Sequence, residues 1–302
     1  VKPAGKRPPR RALVTGAGGF VGANLVRRLL ADGLRVVGLV RPGSDPWRLA
    51  GLDVELVEAD VREAVPGGFD LVFHLAAHGA YSWQEDDRAI LETNLIGTVN
   101  ALGAGRRVVV AGSSSEYGRK PHPPAEDEPL EPNSAYAVGK AASTLFALHH
   151  GAVVLRLYSA YGPWEEPNRL VPTLLVRGLQ GELPPLVSPA VARDFVHVDD
   201  VCEALVLASR AEPGRVFNVG SGRQTTVAEV VDAARRLLGV EAEPVWGSMP
   251  DRAWDTETWI ANPERIRREL GWEARIRLEE GLARTLEWLR RDAPRERYGV
   301  PG

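Results

Sequence analysis

Tyr136 and Lys140 stand four residues apart in the segment Tyr-Ala-Val-Gly-Lys. On a helix that spacing puts both side chains on one face, one turn apart. A free phenol has a pKa near ~10, too high for efficient proton exchange at neutral pH. An ammonium beside it favours the phenolate. The pair therefore suits proton transfer to or from a substrate oxygen. Upstream, Val108-Val-Val-Ala-Gly-Ser-Ser-Ser-Glu-Tyr-Gly118 sets a cluster of hydroxyls at the end of a strand-like run. Open α/β sheets bind their ligands at that edge.

A second chemical signal lies near the start, in Leu13-Val-Thr-Gly-Ala-Gly-Gly-Phe-Val-Gly22. Gly16 suits a tight turn, Gly19 a close approach of backbone to a pyrophosphate, and Gly22 close packing of helix on strand. The helix that follows offers free N–H groups and a partial positive charge to phosphates. An acidic residue at the end of the second strand would hold the adenosine ribose 2′-OH. This chain reads Gly38-Leu-Val-Arg41-Pro-Gly-Ser44 instead. A guanidinium at Arg41 can pair with a 2′-phosphate and Ser44 can add a hydrogen bond. That points to NADP, with NAD as the alternative.

These residues need elements to position them, and the chain supplies an alternation of β-branched runs and helical patterns. Strands are expected at Ala12–Thr15, Arg35–Val40, Val54–Glu58, Leu71–Leu75, Arg107–Ala111 and Val153–Leu157. Helices are expected at Phe20–Ala31, Arg88–Leu102 and Ala135–His149. A strand-like pair, Asp194–Val196 and Val216–Val219, brackets a helix at Val198–Ser209. Beyond Gly220 the pattern turns to helices at Val227–Leu238, Glu264–Leu270 and Leu278–Arg290. The fold class is α/β: a Rossmann-type doubly wound parallel sheet with a smaller, mostly C-terminal substrate-binding part. The dinucleotide-binding domain is expected over 10–163 plus about 191–222, and the second over about 164–190 plus 223–302.

Composition narrows the function classes. A net charge of −3 and a pI of about 6.1 give no footprint for nucleic acid. The basic stretch from Lys2 to Arg11 reads as a tail. No apolar run reaches the roughly 18 residues of a membrane span, so a cytoplasmic protein with no membrane partner is expected. Cys202 is the sole cysteine, which leaves no disulfide and no cysteine-based metal site within the chain, and no metal is expected.

The glycine spacing after Thr15, together with Tyr136-x-x-x-Lys140, resembles the extended short-chain dehydrogenase/reductase superfamily. Phe73-His-Leu-Ala-Ala77, Arg156-Leu-Tyr-Ser-Ala-Tyr-Gly-Pro163, Arg193-Asp-Phe-Val-His-Val-Asp-Asp200 and Phe217-Asn-Val-Gly-Ser-Gly222 resemble its NAD-dependent epimerase/dehydratase branch. Asp251-Arg-Ala-Trp-Asp255 departs from that branch's pattern, with Ala253 and Trp254 replacing Pro-Gly. The resemblance implies an enzyme acting on a nucleoside-diphosphate sugar, and a homodimer. It implies a catalytic set of Ser113, Tyr136 and Lys140, with Ser114 the near alternative to Ser113. Cofactor contacts would come from Gly16, Gly19, Phe20, Val21, Gly22, Arg41, Ser44, Asp60, Val61, Leu75, Ala76, Ala77, Tyr136 and Lys140. Substrate contacts would come from Ser114, Arg193 and Arg252, and Asn94 would steady the backbone beside the site.

The serine string and the motif after it resemble GDP-4-keto-6-deoxymannose reductases most closely. Triple serines also resemble some UDP-hexose 4-epimerases. Arg41 tips the expectation toward an NADP-dependent 4-ketoreductase, with an NAD-dependent 4-epimerase as the alternative and decarboxylation behind them. Dehydratases of the branch place an acid and a base four and three residues before the strand-end glycine. Those positions are Ser114 and Ser115 here, and Glu116 is one residue out of register. A Rossmann-fold sensor without catalysis would show a broken Ser/Tyr/Lys set, whereas this set is intact.

Overall fold

The computed structural model describes residues 10–81, 83–249 and 258–301. Strands β1 (Arg11–Thr15), β2 (Arg35–Val40), β3 (Glu55–Glu58), β4 (Phe69–His74), β5 (Gly105–Ser113) and β6 (Val153–Leu157) form most of the central sheet. After β7 (Ser159–Tyr161), β8 (Ala192–Arg193) and β9 (Phe195–His197), β10 (Val216–Val219) completes it. The sheet has seven strands in the order β10-β6-β5-β4-β1-β2-β3, and every pairing is parallel. The chain moves outward from β1 to β3, then crosses to β4 on the other side of β1. Thr15 and His74 are partners across that junction, so the direction of winding reverses where the two strands end. Such a switch point is where doubly wound sheets take ligands.

Helices cover both faces because the β-branched strands are buried on both sides. On one face, α1 (Phe20–Ala31) and α6 (Val198–Ala208) bury Leu25, Val26, Leu29, Val201 and Leu205. On the other lie α2 (Asp87–Leu91), α3 (Gly97–Leu102) and α4 (Ala135–His149). Ser134 caps α4 by accepting from the Ala137 N–H, which fixes where the Tyr136 helix begins. The rod expected over Arg88–Leu102 is broken in register by a π-helical segment, Glu92–Ile96. Single π turns recur at functional sites, and this one holds Asn94. Its side chain accepts from the His78 N–H at 3.0 Å and donates to the His78 carbonyl at 2.8 Å.

A second apolar cluster joins α5 (Leu170–Leu179), α7 (Val227–Leu238) and α9 (Leu278–Arg291) through Leu174, Val230, Leu282 and Trp288. Strand β8 pairs antiparallel with β11 (Thr225–Thr226) beside it, while α8 (Glu264–Leu270) sends Ile266 back to the main core. A short α10 (Arg295–Tyr298) closes the described chain. The two segments expected as strands on either side of a helix, 194–196 and 216–219, go to different sheets. Val216–Val219 enters the main sheet beside β6, and Phe195–His197 pairs with Ser159–Tyr161. Local pattern marks a strand but not its neighbour, which non-local packing decides. Among the described residues, no helix is long and apolar enough to cross a membrane.

Candidate active site

The switch point is built from backbone first. Gly16 has φ +66°, and a Cβ there would lie 2.8 Å from the Ala76 N. A Cβ on Gly22 would collide with the Gly16 carbonyl oxygen. Both positions therefore admit only glycine, and the turn lies flush against Leu75–Ala77. The Thr15 hydroxyl accepts from the Leu75 and Ala76 N–H groups, both at 3.2 Å, and meets His74 Nδ1 at 2.8 Å. Because that hydroxyl already accepts twice, its proton goes to Nδ1, and the imidazole carries its own proton on Nε2. Burial lowers the His74 pKa to about 3, assisted by the charge of Lys140, so the ring is neutral.

Helix α1 starts at Gly19 with no side-chain cap and no acidic residue in its first turn. Phe20, Val21 and Gly22 thus present the uncapped N-terminus that a phosphate would satisfy. Arg41 stands at the end of β2, exposed and without an ion pair among the described residues. Ser44 is beside it, but its hydroxyl donates to the Arg41 carbonyl at 2.6 Å. Asp60 is held by Arg62 at 2.7 Å, which lowers its pKa, and Val61 is buried in the core. This cradle of tight glycines, free helix N–H groups and an edge cation fits a dinucleotide.

At the end of β5 the Ser113 hydroxyl hydrogen-bonds Tyr136, and it also meets the Ser115 hydroxyl at 2.8 Å. Burial raises the Tyr136 pKa, while the Ser113 bond and the charge of Arg169 pull it back and Glu116 opposes them. Lys140 is buried, donates to the Ala111 carbonyl, and is lowered to about 8 by burial. The Lys140 ammonium is thus anchored on a carbonyl at the sheet edge, one helical turn along α4 from Tyr136.

Glu116, one residue out of register for a dehydratase base, is turned wholly into the interior. Its carboxylate accepts from Arg156 and from Thr144 at 2.8 and 2.9 Å, and from the Ser113 N–H at 2.7 Å. Arg156 also donates to the Tyr117 phenol, which donates to Asn218. The buried set therefore stiffens the strand end on which Ser113 sits. Ser114 lies on the open side, where the Trp259 indole N–H donates to its hydroxyl at 3.2 Å. The Arg193 guanidinium is 5.6 Å from the Trp259 ring centroid. Ser114, Trp259 and Arg193 are thus brought together. Asp194 turns inward and accepts from the Ser221, Gly222 and Ala261 N–H groups, which leaves Arg193 on the outer side. Arg252 and Trp254 lie outside the described residues. No group of three metal-ligating side chains occurs among the described residues.

Two residues absent from the sequence reading join the site, and a third lies beneath it. Arg169, at the start of α5, contributes charge to Tyr136 and sits 5.9 Å from the Tyr81 ring centroid. Tyr81 stacks on Trp83 with centroids 4.6 Å apart. Arg48 is buried beneath the glycine turn. No local motif marks any of them, because long-range packing alone brings them here.

Comparison with known proteins agrees with this geometry. The sequence pattern of the NAD dependent epimerase/dehydratase family matches residues 12–220. A UDP-glucose 4-epimerase of Mycolicibacterium smegmatis is 35% identical, covering 93% of this chain and 98% of its own. A dTDP-glucose 4,6-dehydratase of Streptomyces griseus is 32% identical, covering 91% and 93%. The solved structure of MoeE5 with UDP-glucuronic acid and NAD superposes with a TM-score of 0.83, at 32% identity over 94% of this chain and 100% of that one.

Proposed function

The chain is an enzyme of the NAD dependent epimerase/dehydratase family, and on that premise we propose that it inverts C4 of a nucleoside-diphosphate hexose. The observation that carries this reading is the contrast between Tyr136 and Glu116. One proton-transferring phenol, held by Ser113, stands at the sheet edge, and the only carboxylate of the Ser113–Gly118 segment is locked in the core. Loss of water from C5 and C6 needs an acid and a base in addition to the phenol, and Ser114 and Ser115 replace them.

The bound nicotinamide would supply the acceptor and donor for the C4 hydride. The remaining work falls to this chain's residues. Tyr136 takes the proton of the 4-hydroxyl and later returns it, Ser113 orients that oxygen, and Lys140 lies below with Ala111. Gly16 to Gly22 and Leu75 to Ala77 cradle the dinucleotide, with Asp60 and Val61 at its adenine end. Arg193 and Arg252 grip the diphosphate, and Ser114 contacts the sugar beside Trp259. The division into a dinucleotide-binding and a nucleotide-sugar-binding part follows from the same assignment. Purified protein given UDP-glucose without added dinucleotide is the test. Conversion to the C4 epimer supports the reading, and a 4-keto-6-deoxy product overturns it.

A second reading, the NADP-dependent 4-ketoreductase, rests on Arg41, which is exposed at the position of the usual acid and has no ion pair among the described residues. The named relatives give it no support, since they are epimerases and dehydratases. If Arg41 holds a 2′-phosphate, Arg41→Asp is expected to weaken NADP by about ten- to hundredfold, the equivalent of about 1–3 kcal/mol. NAD should change much less, because its ribose hydroxyls can donate to the new carboxylate. Titration of both proteins with both dinucleotides reads this directly. A wild type that already prefers NAD makes Arg41 a solvated strand end and removes the reductase reading.

The homodimer belongs here as well. Leu91, Ile96, Val99, Val138 and Leu145 stay exposed, at 37–62%, on the adjoining helical segments from Asp87 to Leu102 and α4. Contiguous apolar exposure of this kind marks an association surface, and a second copy pairing like with like would cover it. Leu145→Glu is expected to halve the mass seen by light scattering at micromolar concentration. A wild type that is monomeric there rules the interface out.

A further inference from the structure

Arg48 lies under the glycine turn with its guanidinium wholly committed. It is 4% exposed, and it donates to the Trp164 carbonyl at 2.8 Å, to the Gly18 carbonyl at 3.2 Å and to the Glu166 carboxylate at 2.9 Å. Its guanidinium carbon is 4.3 Å from the Trp47 ring centroid. The segment it holds is strained: Trp164 has φ +70°, unlike every other non-glycine residue among those described. Such a conformation persists only where surrounding contacts over-determine it, and it concentrates at ligand clamps. Those contacts are present. Arg27 lies 3.9 Å over the Trp164 ring and donates to the Arg48 carbonyl, and Asn24 donates to the Pro163 carbonyl at 3.0 Å. Trp47 and Trp288 pack on the same indole, with centroids 5.8 and 5.0 Å away.

We propose that Arg48 is a positioning residue, the tie between the glycine turn and the Pro163–Glu166 segment that slows release of the dinucleotide. The proposal rests on the functional reading above, which sets the glycine turn at the dinucleotide. An enzyme whose cofactor is reoxidised within each turnover gains from keeping it, and a three-acceptor guanidinium tie that locks the glycine turn to the Pro163–Glu166 segment does that. Lysine could serve only part of this role, because an ammonium cannot span three acceptors in the plane of a guanidinium. Glu166 is thereby a part of the tie, and the loop's unusual backbone is held in place by it.

The test is the dissociation rate of the dinucleotide, measured by trapping released cofactor in the purified holoenzyme, alongside kcat at saturating dinucleotide. Arg48→Ala is expected to speed release at least tenfold while kcat stays within about threefold, and Arg48→Lys to fall between. Should Arg48→Ala not fold, Glu166→Gln keeps the shape of the loop and turns one charged anchor into a neutral hydrogen bond, with release expected about three- to tenfold faster. An unchanged release rate in a folded variant overturns the proposal. So does a fall in kcat with no change in release, the pattern of general damage to the site. A wild-type protein that binds no dinucleotide would instead overturn the functional reading, which separates the two failures.

Discussion

Tyr136→Phe is expected to lower kcat by about 10²–10⁴-fold while leaving dinucleotide affinity within a few-fold. The substitution removes a single oxygen, and in the proposed reaction the proton on that oxygen is needed only as the C4 oxygen changes charge. A loss confined to the reaction falls on kcat. The surroundings sharpen the expectation. Burial raises the phenol's pKa above its usual value, so it keeps its proton until its partners favour the phenolate. Ser113 and the charge of Arg169 are the two that pull it down in this structure. Turnover and equilibrium dinucleotide binding on the same preparation separate catalysis from folding. Near-normal activity would remove Tyr136 from the mechanism.

How much of this was legible in sequence differs by length scale. Phe20–Ala31, Ala135–His149, Val227–Leu238 and Glu264–Leu270 are helices with the bounds that the sequence implies. Their apolar periodicity is clear, and Ser134 and Thr226 cap the second and third. Helix α5 escaped, since Leu-Val-Pro-Thr-Leu-Leu-Val is apolar almost all round and carries a proline in its first turn, where proline is tolerated. The short strands β7, β8 and β11 have two or three residues each, below what periodicity can reveal. The placement of Ser113, Tyr136 and the glycine turn at the sheet edge could be read because the motif and the element carrying it are contiguous. The Arg48 tie could not. It joins Arg48 to the backbone carbonyls of residues 18 and 164, which have no signature in residue type, and to the Glu166 carboxylate over a hundred residues away. The role of Glu116 was half visible: its register excluded the base position, while its burial against Arg156 depended on a strand forty residues away.

That burial makes Arg156→Met the substitution expected to damage stability most, by about 3–5 kcal/mol in chemical denaturation. The side chains of Arg156 and Glu116 are 3% and 0% exposed and lie 2.8 Å apart. Removing the guanidinium leaves a carboxylate in the interior with only neutral donors, the Thr144 hydroxyl and the Ser113 N–H. Burial already pushes the Glu116 pKa up against the pull of Arg156, so without it the carboxyl should take up a proton and then compete poorly for both donors. The Tyr117 phenol and the Glu126 carbonyl lose a donor in the same step. Adding Glu116→Gln to Arg156→Met should recover part of the loss, because the uncompensated charge is then gone while the amide can still accept. If the double variant is as unstable as the sum of the two single ones, the pair does not act as a unit. The two variants also divide stability from chemistry: Ser113 is held through its N–H by Glu116, so kcat should fall with the Arg156 variant even at temperatures where it remains folded.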